Sequence, residues 1–252
     1  MKVGIFVTAR LGSSRLKRKH LLPVCGKPII QYLLDRIAFE FAAELQKQEV
    51  IIVIVSSDEP ENRNFECFTS STVKVFFGAT HNIPLRHQQA AESLGLDAVL
   101  TVDGDDILCS TEGMRELYQL LCSGEEYVRS IGLPFGMNSM GYAADFLKAS
   151  VSTHISEVLE TGWGRIFDEQ SVREISLGNE LADQRLRFTL DYQEDYEFFA
   201  AVIEALGERV QGAGLDTIVT LVRQRELFRI NETIANEYWD NFYRCLQQEE
   251  RA

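Results

Sequence analysis

The chain has 252 residues, 45% hydrophobic and 25% charged, with a formal net charge of −13. Those proportions suit one large α/β domain or two small ones and exclude a general nucleic-acid binder, which needs a broad basic surface. Five scattered cysteines without a CxxC pair exclude a disulfide framework or structural zinc site, and no run approaches the roughly 18 apolar residues of a membrane span, so a cytoplasmic protein with reduced thiols is expected.

The first apolar run, Val3 to Val7, predicts a buried strand and is too short for the core of a secretory leader. A loop of small residues follows it: Thr8, Ala9, Arg10, Leu11, Gly12, Ser13, Ser14 and Arg15, then Lys17-Arg18-Lys19. Seven Lys or Arg residues precede the first acidic one, Asp35, so this segment carries +7 and the remainder −20. A strand that runs into a small cationic loop and then a helix is how α/β proteins hold polyphosphates. Gly12, Ser13 and Ser14 allow backbone N–H groups to approach phosphate oxygens, while Arg10, Arg15 and Lys19 have the charge to neutralise a triphosphate. The spacing is neither GxxxxGK[ST] nor GxGxxG, and a solvated basic loop accounts for the composition equally well.

Pro28 stands where a first helical residue is favoured, and Ile29 to Leu45 carries apolar residues at helical spacing. Glu49 to Ser56 is a continuous β-branched run, the pattern of a strand covered on both faces. Ser57-Asp58-Glu59-Pro60 ends it and caps a short helix through Phe68. Val73 to Phe77 is a third strand, closed by Gly78, and Ile83 to Leu94 a helix. Ala98 to Val102 is a fourth strand running into Asp103-Gly104-Asp105-Asp106, before a helix over Thr111 to Leu121. Four β-α repeats predict an α/β fold with a doubly wound, mostly parallel sheet.

From Glu126 to Arg165 glycines break the pattern, leaving a helix from Ala143 and another over Ile155 to Glu160. This glycine-rich stretch is a candidate substrate-loop region or an irregular connection. Arg185 to Leu190 alternates like a strand and ends at Asp191. Gln193-Glu194-Asp195 begins a helix that Gly207 closes, and two more helices follow over Thr217 to Phe228 and Thr233 to Leu246. With no repeats or linkers, one domain over residues 1–252 is expected, its C-terminal helices lying within 215–250.

Three clusters sit at C-terminal ends of predicted strands, where open parallel sheets bind ligands. The opening loop is the first. In the second, Asp105 beside a glycine turn suits a Mg²⁺ ion bridging phosphate oxygens, although an Asx-rich turn uses the same residues. In the third, Asp191 matches Asp105 in position, whereas Glu194 and Asp195 read as caps of the following helix. His81, Asn82 and Arg86 fit base or ribose recognition or plain surface. Trp163 suits the core, and His87 and His154 read as ordinary histidines. The last helix carries an aromatic stripe, Tyr238, Trp239, Phe242, Tyr243 and Leu246, suited to packing on the domain first and a homodimer contact second.

The stretch ARLGSSRLKRKHLLPVCGKPIIQYLLDRI resembles the opening signature of cytidylyltransferases that make CMP-activated acidic sugars, above all the spore coat polysaccharide biosynthesis type. The match falls on Arg10, Ser13, Ser14, Arg15, Leu16, Lys19, Gly26, Lys27 and Pro28. Further on, Phe77-Gly78, Leu85-Arg86, the DGDD run and LDYQEDYEFF resemble later motifs, so the similarity extends from residue 2 to about 206. The resemblance implies a nucleotide-diphospho-sugar transferase-like fold and CTP bound by Ala9, Arg10, Gly12, Ser13, Ser14, Arg15, Lys19, Gly78, Arg86 and Asp103. It implies Mg²⁺ on Asp105 and Asp191, with Arg10, Arg15, Lys19 and Asp105 as the catalytic set. An acidic sugar, a nonulosonate or KDO-like 2-keto acid, would then attack the α-phosphate and expel pyrophosphate. Two departures from the pattern stand out: Lys17-Arg18 replaces Pro-Gly, and Gln193 replaces Pro. Another acceptor, such as a phosphonate or sugar phosphate, a glycosyltransferase reading of Asp103-Gly104-Asp105, and a non-catalytic nucleotide-binding relative all stay open.

Overall fold

The β-branched runs near the N-terminus form the middle of a seven-stranded sheet because neither of their faces can meet water without cost. In the computed structural model, which describes residues 1–154, 157–178, 183, 185–249 and 251, β1 (Val3–Thr8) is buried along its whole length. A two-residue hairpin, β2 (Pro23–Val24) and β3 (Lys27–Pro28), leads into α1 (Ile29–Glu40) and the short α2 (Ala42–Gln46). Then come β4 (Val50–Ser57), a 3₁₀ helix over Pro60–Phe68, β5 (Val73–Gly78), α3 (Ile83–Leu94), β6 (Ala98–Asp103) and α4 (Thr111–Cys122). The second half holds β7 (Tyr127–Ile131), β8 (Met140–Ala143), α5 (Ala144–Thr153), β9 (Arg173–Ser176), α6 (Gln193–Leu206), α7 (Leu215–Gln224) and α8 (Ala235–Glu249).

The sheet order is β5-β4-β1-β6-β8-β7-β9. β1 pairs in parallel with β4 on one side and β6 on the other, with Thr8 opposite both Val55 and Asp103. β8 alone reverses direction, pairing antiparallel with β6 and β7. Alternate residues of β1 feed opposite cores. Val3, Ile5 and Val7 pack with Leu33, Ile37, Met114 and Leu117 beneath α1 and α4, whereas Phe6 packs with Val53, Val99 and Ala90 beneath α3. A third cluster, around Phe188, Phe198, Phe199 and Ile218, gathers α6 and α7. Among the described residues, no helix is long and apolar enough to cross a membrane.

The four β-α repeats read from the sequence are present, but the helix expected over Ile29 to Leu45 breaks at Phe41 into two, and the short helix ending at Phe68 is 3₁₀. The second half departs from that reading. The segment expected as a helix over Ile155 to Glu160 is extended where it is described, at 157–160, and Ile155 lies outside the described residues. Leu159 donates its backbone N–H to His81 O at 2.7 Å and accepts from Ile83 N at 3.0 Å, so a neighbouring loop takes the groups a helix would use. Arg185 to Leu190 joins no ladder and makes one isolated bridge, Arg187 to Phe135. Its alternation is physical all the same: Leu186, Phe188 and Leu190 enter the α6 core, and Arg187 turns to the opposite side. The helix expected over Thr217 to Phe228 begins at Leu215 and ends at Gln224, followed by a 3₁₀ turn over Leu227–Ile230.

Candidate active site

The chain leaves β1 for β4 and β5 on one side, then returns past β1 to β6 on the other. Loops after β1 and β6 therefore diverge and open a crevice at the carboxyl ends of these strands, where this class of sheet binds ligands. The opening loop and the DGDD turn face each other across it. Gly104 N donates to Thr8 O at 2.7 Å. A Cβ on Gly104 would lie 2.8 Å from Ala9 Cβ and 3.0 Å from Thr8 O, so only glycine permits this approach.

Lys19 is the centre of the site. It sits in a 3₁₀ turn, Lys19–Leu21, that buries both Lys19 and His20. Its Nζ donates to Asp105 Oδ2 at 2.7 Å and to Asp191 Oδ1 at 3.0 Å. Burial opposes the charge on Lys19, but the two carboxylates outweigh it and hold the ammonium above its ordinary range. Burial likewise opposes charge on Asp105, yet Lys19 and then His20 hold that carboxyl well below its usual range. His20 Nε2 lies 2.8 Å from Asp105 Oδ1, on the side of the carboxylate away from Lys19. Asp191 also accepts from Arg15 at 2.5 Å and from Arg187 Nη2 at 3.0 Å.

Neighbouring acids behave differently. Asp103 is open at the cleft mouth but ringed by protein atoms; that enclosure, then the charge of Asp105, pushes its carboxyl up to about 7. Burial followed by Asp103 and Asp105 raises Asp106 as well. The three neighbouring carboxyls thus differ in their affinity for protons, set by burial and by their distance from Lys19.

The structure gathers Arg15, Lys19, Asp105 and Asp191 in direct contact, with Asp103 one turn away. Ala9 is buried at the loop base, its N–H bonded to Val55 O at 3.2 Å. Gly12 and Ser14 lie on the exposed tip, and Ser13 Oγ accepts from Leu16 N at 3.3 Å. Arg10 projects to the other rim, where it pairs with Glu160 at 2.9 Å. Gly78 ends β5. Arg86 is buried, and its guanidinium donates to Ala79 O at 2.7 Å and Thr80 O at 2.8 Å, shaping the loop after β5 from beneath. Burial lowers it to about 10.

Asp195 caps α6 as its position suggested, accepting from Asp191 N at 3.0 Å and Tyr192 N at 3.1 Å. It also accepts from Arg187 Nε at 3.0 Å. Sequence reasoning missed Arg187, His20 and Asn62. Arg187 was visible as a cation at an inward position of an alternating apolar run. Asn62 accepts from Leu11 N at 2.8 Å and donates to Ser57 O at 3.0 Å, tying the opening loop to the end of β4. Nothing in its local sequence signals that role.

The sheet order and the placement of this crevice define an α/β nucleotidyltransferase fold, shared with a solved cytidylyltransferase from Leptospira borgpetersenii at a TM-score of 0.76 and 22% identity, covering 90% of this chain and 96% of that one. The cytidylyltransferase family model matches residues 5–234, and the chain belongs to that family. Among curated relatives, the 8-amino-3,8-dideoxy-manno-octulosonate cytidylyltransferase of Shewanella sp. (strain W3-18-1) is 32% identical over 56% of this chain and 54% of its own. The chain thus spans about half the length of that relative. Spore coat polysaccharide biosynthesis protein SpsF of Bacillus subtilis is 23% identical over 86% of this chain and 92% of its own.

Proposed function

We propose that the protein transfers CMP from CTP to the hydroxyl of an acidic sugar of the 2-keto acid type and releases pyrophosphate. The observation that carries this reading is the convergence of Asp105 and Asp191 on one Lys19 ammonium at the mouth of a cationic loop. The acidic sugar rests on the Shewanella relative, whose printed activity is on such a compound. In the transfer, the sugar oxygen forms a bond to the α-phosphorus while the bond from that phosphorus to the bridging oxygen of pyrophosphate breaks. No covalent enzyme intermediate is required, and positioning with charge stabilisation supplies the rate.

The residues fit a Mg²⁺ ion. Asp105 Oδ2 and Asp191 Oδ1 point at a common position now spanned by the Lys19 ammonium, and hard carboxylate oxygens are the donors this ion takes. Among the described residues no group of three His, Cys, Asp or Glu side chains is placed to hold a metal alone. Phosphate oxygens and water would complete the shell, the usual arrangement for Mg²⁺. Held by Asp105 and Asp191, such an ion would neutralise phosphate charge. Lys19 and Arg15 would then bind the triphosphate, and Arg187 orients Asp191 through its hydrogen bond at 3.0 Å. Incubation with CTP, Mg²⁺ and a panel of 3-deoxy-manno-octulosonate, N-acetylneuraminate, phosphonates and sugar phosphates, assayed for pyrophosphate, tests the reading. Release with a sugar acid supports it; release only with a phosphonate or sugar phosphate replaces the acceptor, and CTP binding without release identifies a non-catalytic nucleotide binder.

A further inference from the structure

The family match ends at residue 234, one residue before α8 begins. Yet α8 lies on the crevice. The Tyr238 ring covers the Arg187 guanidinium at 4.3 Å, and Phe135 approaches the same guanidinium at 5.5 Å. Arg187 in turn holds Asp191. Asn241 Nδ2 donates to Tyr192 OH at 2.7 Å, and the Tyr192 ring carries the Arg15 guanidinium at 5.3 Å. About 16 Å along the helix from Tyr238, Glu249 accepts from Thr161 N at 2.8 Å and from Arg165 at 3.2 Å, on the loop whose Glu160 pairs with Arg10. The helix therefore runs from the Asp191 rim to the Arg10 rim.

Core packing does not account for its aromatics. No residue of α8 is buried. Phe135 and Trp239 meet at 5.3 Å with 37% and 40% of their surface exposed, and Tyr238 packs against both. Exposed aromatic faces beside buried charges are the usual wall of a site for a ring-shaped polar ligand, because the π face takes C–H edges while neighbouring polar groups take hydroxyls. Burial, then Asp191, raises the Tyr238 hydroxyl against the opposing charge of Arg187, so it keeps its proton to donate.

We propose that Phe135, Tyr238 and Trp239 form the acceptor wall of the cleft, stacking on the C–H face of a cyclic sugar acid while the Tyr238 hydroxyl binds one of its oxygens. This rests on the transferase reading above and assigns acceptor recognition to a helix beyond the family match.

Calorimetric titration of the full chain with 3-deoxy-manno-octulosonate, with and without CTP and Mg²⁺, tests it. Trp239→Ala and Phe135→Ala should each weaken sugar-acid binding by at least about fivefold, the scale of one lost aromatic contact. Tyr238→Phe, which keeps the ring on Arg187, should weaken it about fivefold through the lost hydrogen bond. CTP affinity should stay within about twofold of the parent in all three. Unchanged sugar-acid affinity in the three variants overturns the proposal, as does absence of saturable binding to the parent protein by this probe and by N-acetylneuraminate. A Trp239→Ala variant that only shifts a dimer to monomer, with sugar affinity intact, overturns it too. Failure of the transferase reading shows separately, as absent pyrophosphate release by a protein that still binds the sugar acid.

Discussion

The ammonium of Lys19 lies 3.0 Å from Asp191 Oδ1, joining residues 172 positions apart in the chain. This contact fastens the opening loop to the segment before α6, so the site and the fold share one ion pair. Removing the cation leaves Asp105 and Asp191 facing each other in a buried setting. Lys19→Met should therefore cost about 3–5 kcal/mol in urea unfolding as well as all measurable turnover. A loss below about 1 kcal/mol would mean that solvent already screens the pair.

The Lys17-Arg18 departure has a backbone consequence. Arg18 adopts φ 51 and ψ 32, the left-handed region, at the position where the resembling sequences place glycine. Its side chain makes a long, exposed contact of 3.3 Å to Asn64 Oδ1. Arg18→Gly relieves the strained backbone and gives back part of that gain as chain entropy. Its net effect should be about 0.5–1 kcal/mol of added stability, read as a higher urea midpoint at unchanged slope. A lower midpoint would show that the Asn64 contact outweighs the strain.

Asp103 couples the site to pH. Its folded carboxyl is pushed up to about 7 from 3.8, so between those values the folded chain keeps a proton that the unfolded chain has lost. Stability contributed by that proton falls as pH rises through the window and is gone above it. Asp103→Asn should leave the melting temperature nearly unchanged at pH 4 and raise it relative to the parent at pH 8, measured by calorimetry. An equal effect at both pH values would contradict the raised carboxyl.

Gly104 tests the closeness of the two loops. Its Cβ would meet backbone, Thr8 O at 3.0 Å, as well as Ala9 Cβ at 2.8 Å. Gly104→Ala should cost about 1–3 kcal/mol and weaken CTP binding by displacing the opening loop. Parent-like CTP affinity in a calorimetric titration would show that the loops move apart freely.

The legible part of the molecule was the part governed by local pattern. β1, β4 and β6 announce themselves because a strand covered on both faces must be apolar throughout, and α3 is bracketed by Asn82 and Gly95, its two caps. Asp105 was legible as a charge just past a strand end, Asp191 as the end of an alternating apolar run and Lys19 as part of a cationic loop, and the crossover between β5 and β6 sets the Lys19 and Asp105 loops face to face. What escaped was set by distant partners. β7, β8 and β9 are only four or five residues long, and their pairing depends on neighbours rather than on their own composition. The segment ending at Glu160 is extended because His81 and Ile83 occupy its backbone. Arg10, read as a phosphate contact, and Arg86, read for base or ribose recognition, make other bonds here: Arg10 with Glu160, Arg86 with two carbonyls of the loop after β5.

Phosphorus NMR of the protein mixed with CTP, Mg²⁺ and 3-deoxy-manno-octulosonate addresses nucleotidyl transfer most directly. The account predicts that the three CTP resonances give way to one phosphodiester signal and one pyrophosphate signal of twice its area, since pyrophosphate carries two equivalent phosphorus atoms. It also predicts that Asp105→Asn, which keeps the fold, leaves CTP intact. Appearance of CDP with inorganic phosphate, or parent-like conversion by Asp105→Asn, would contradict it.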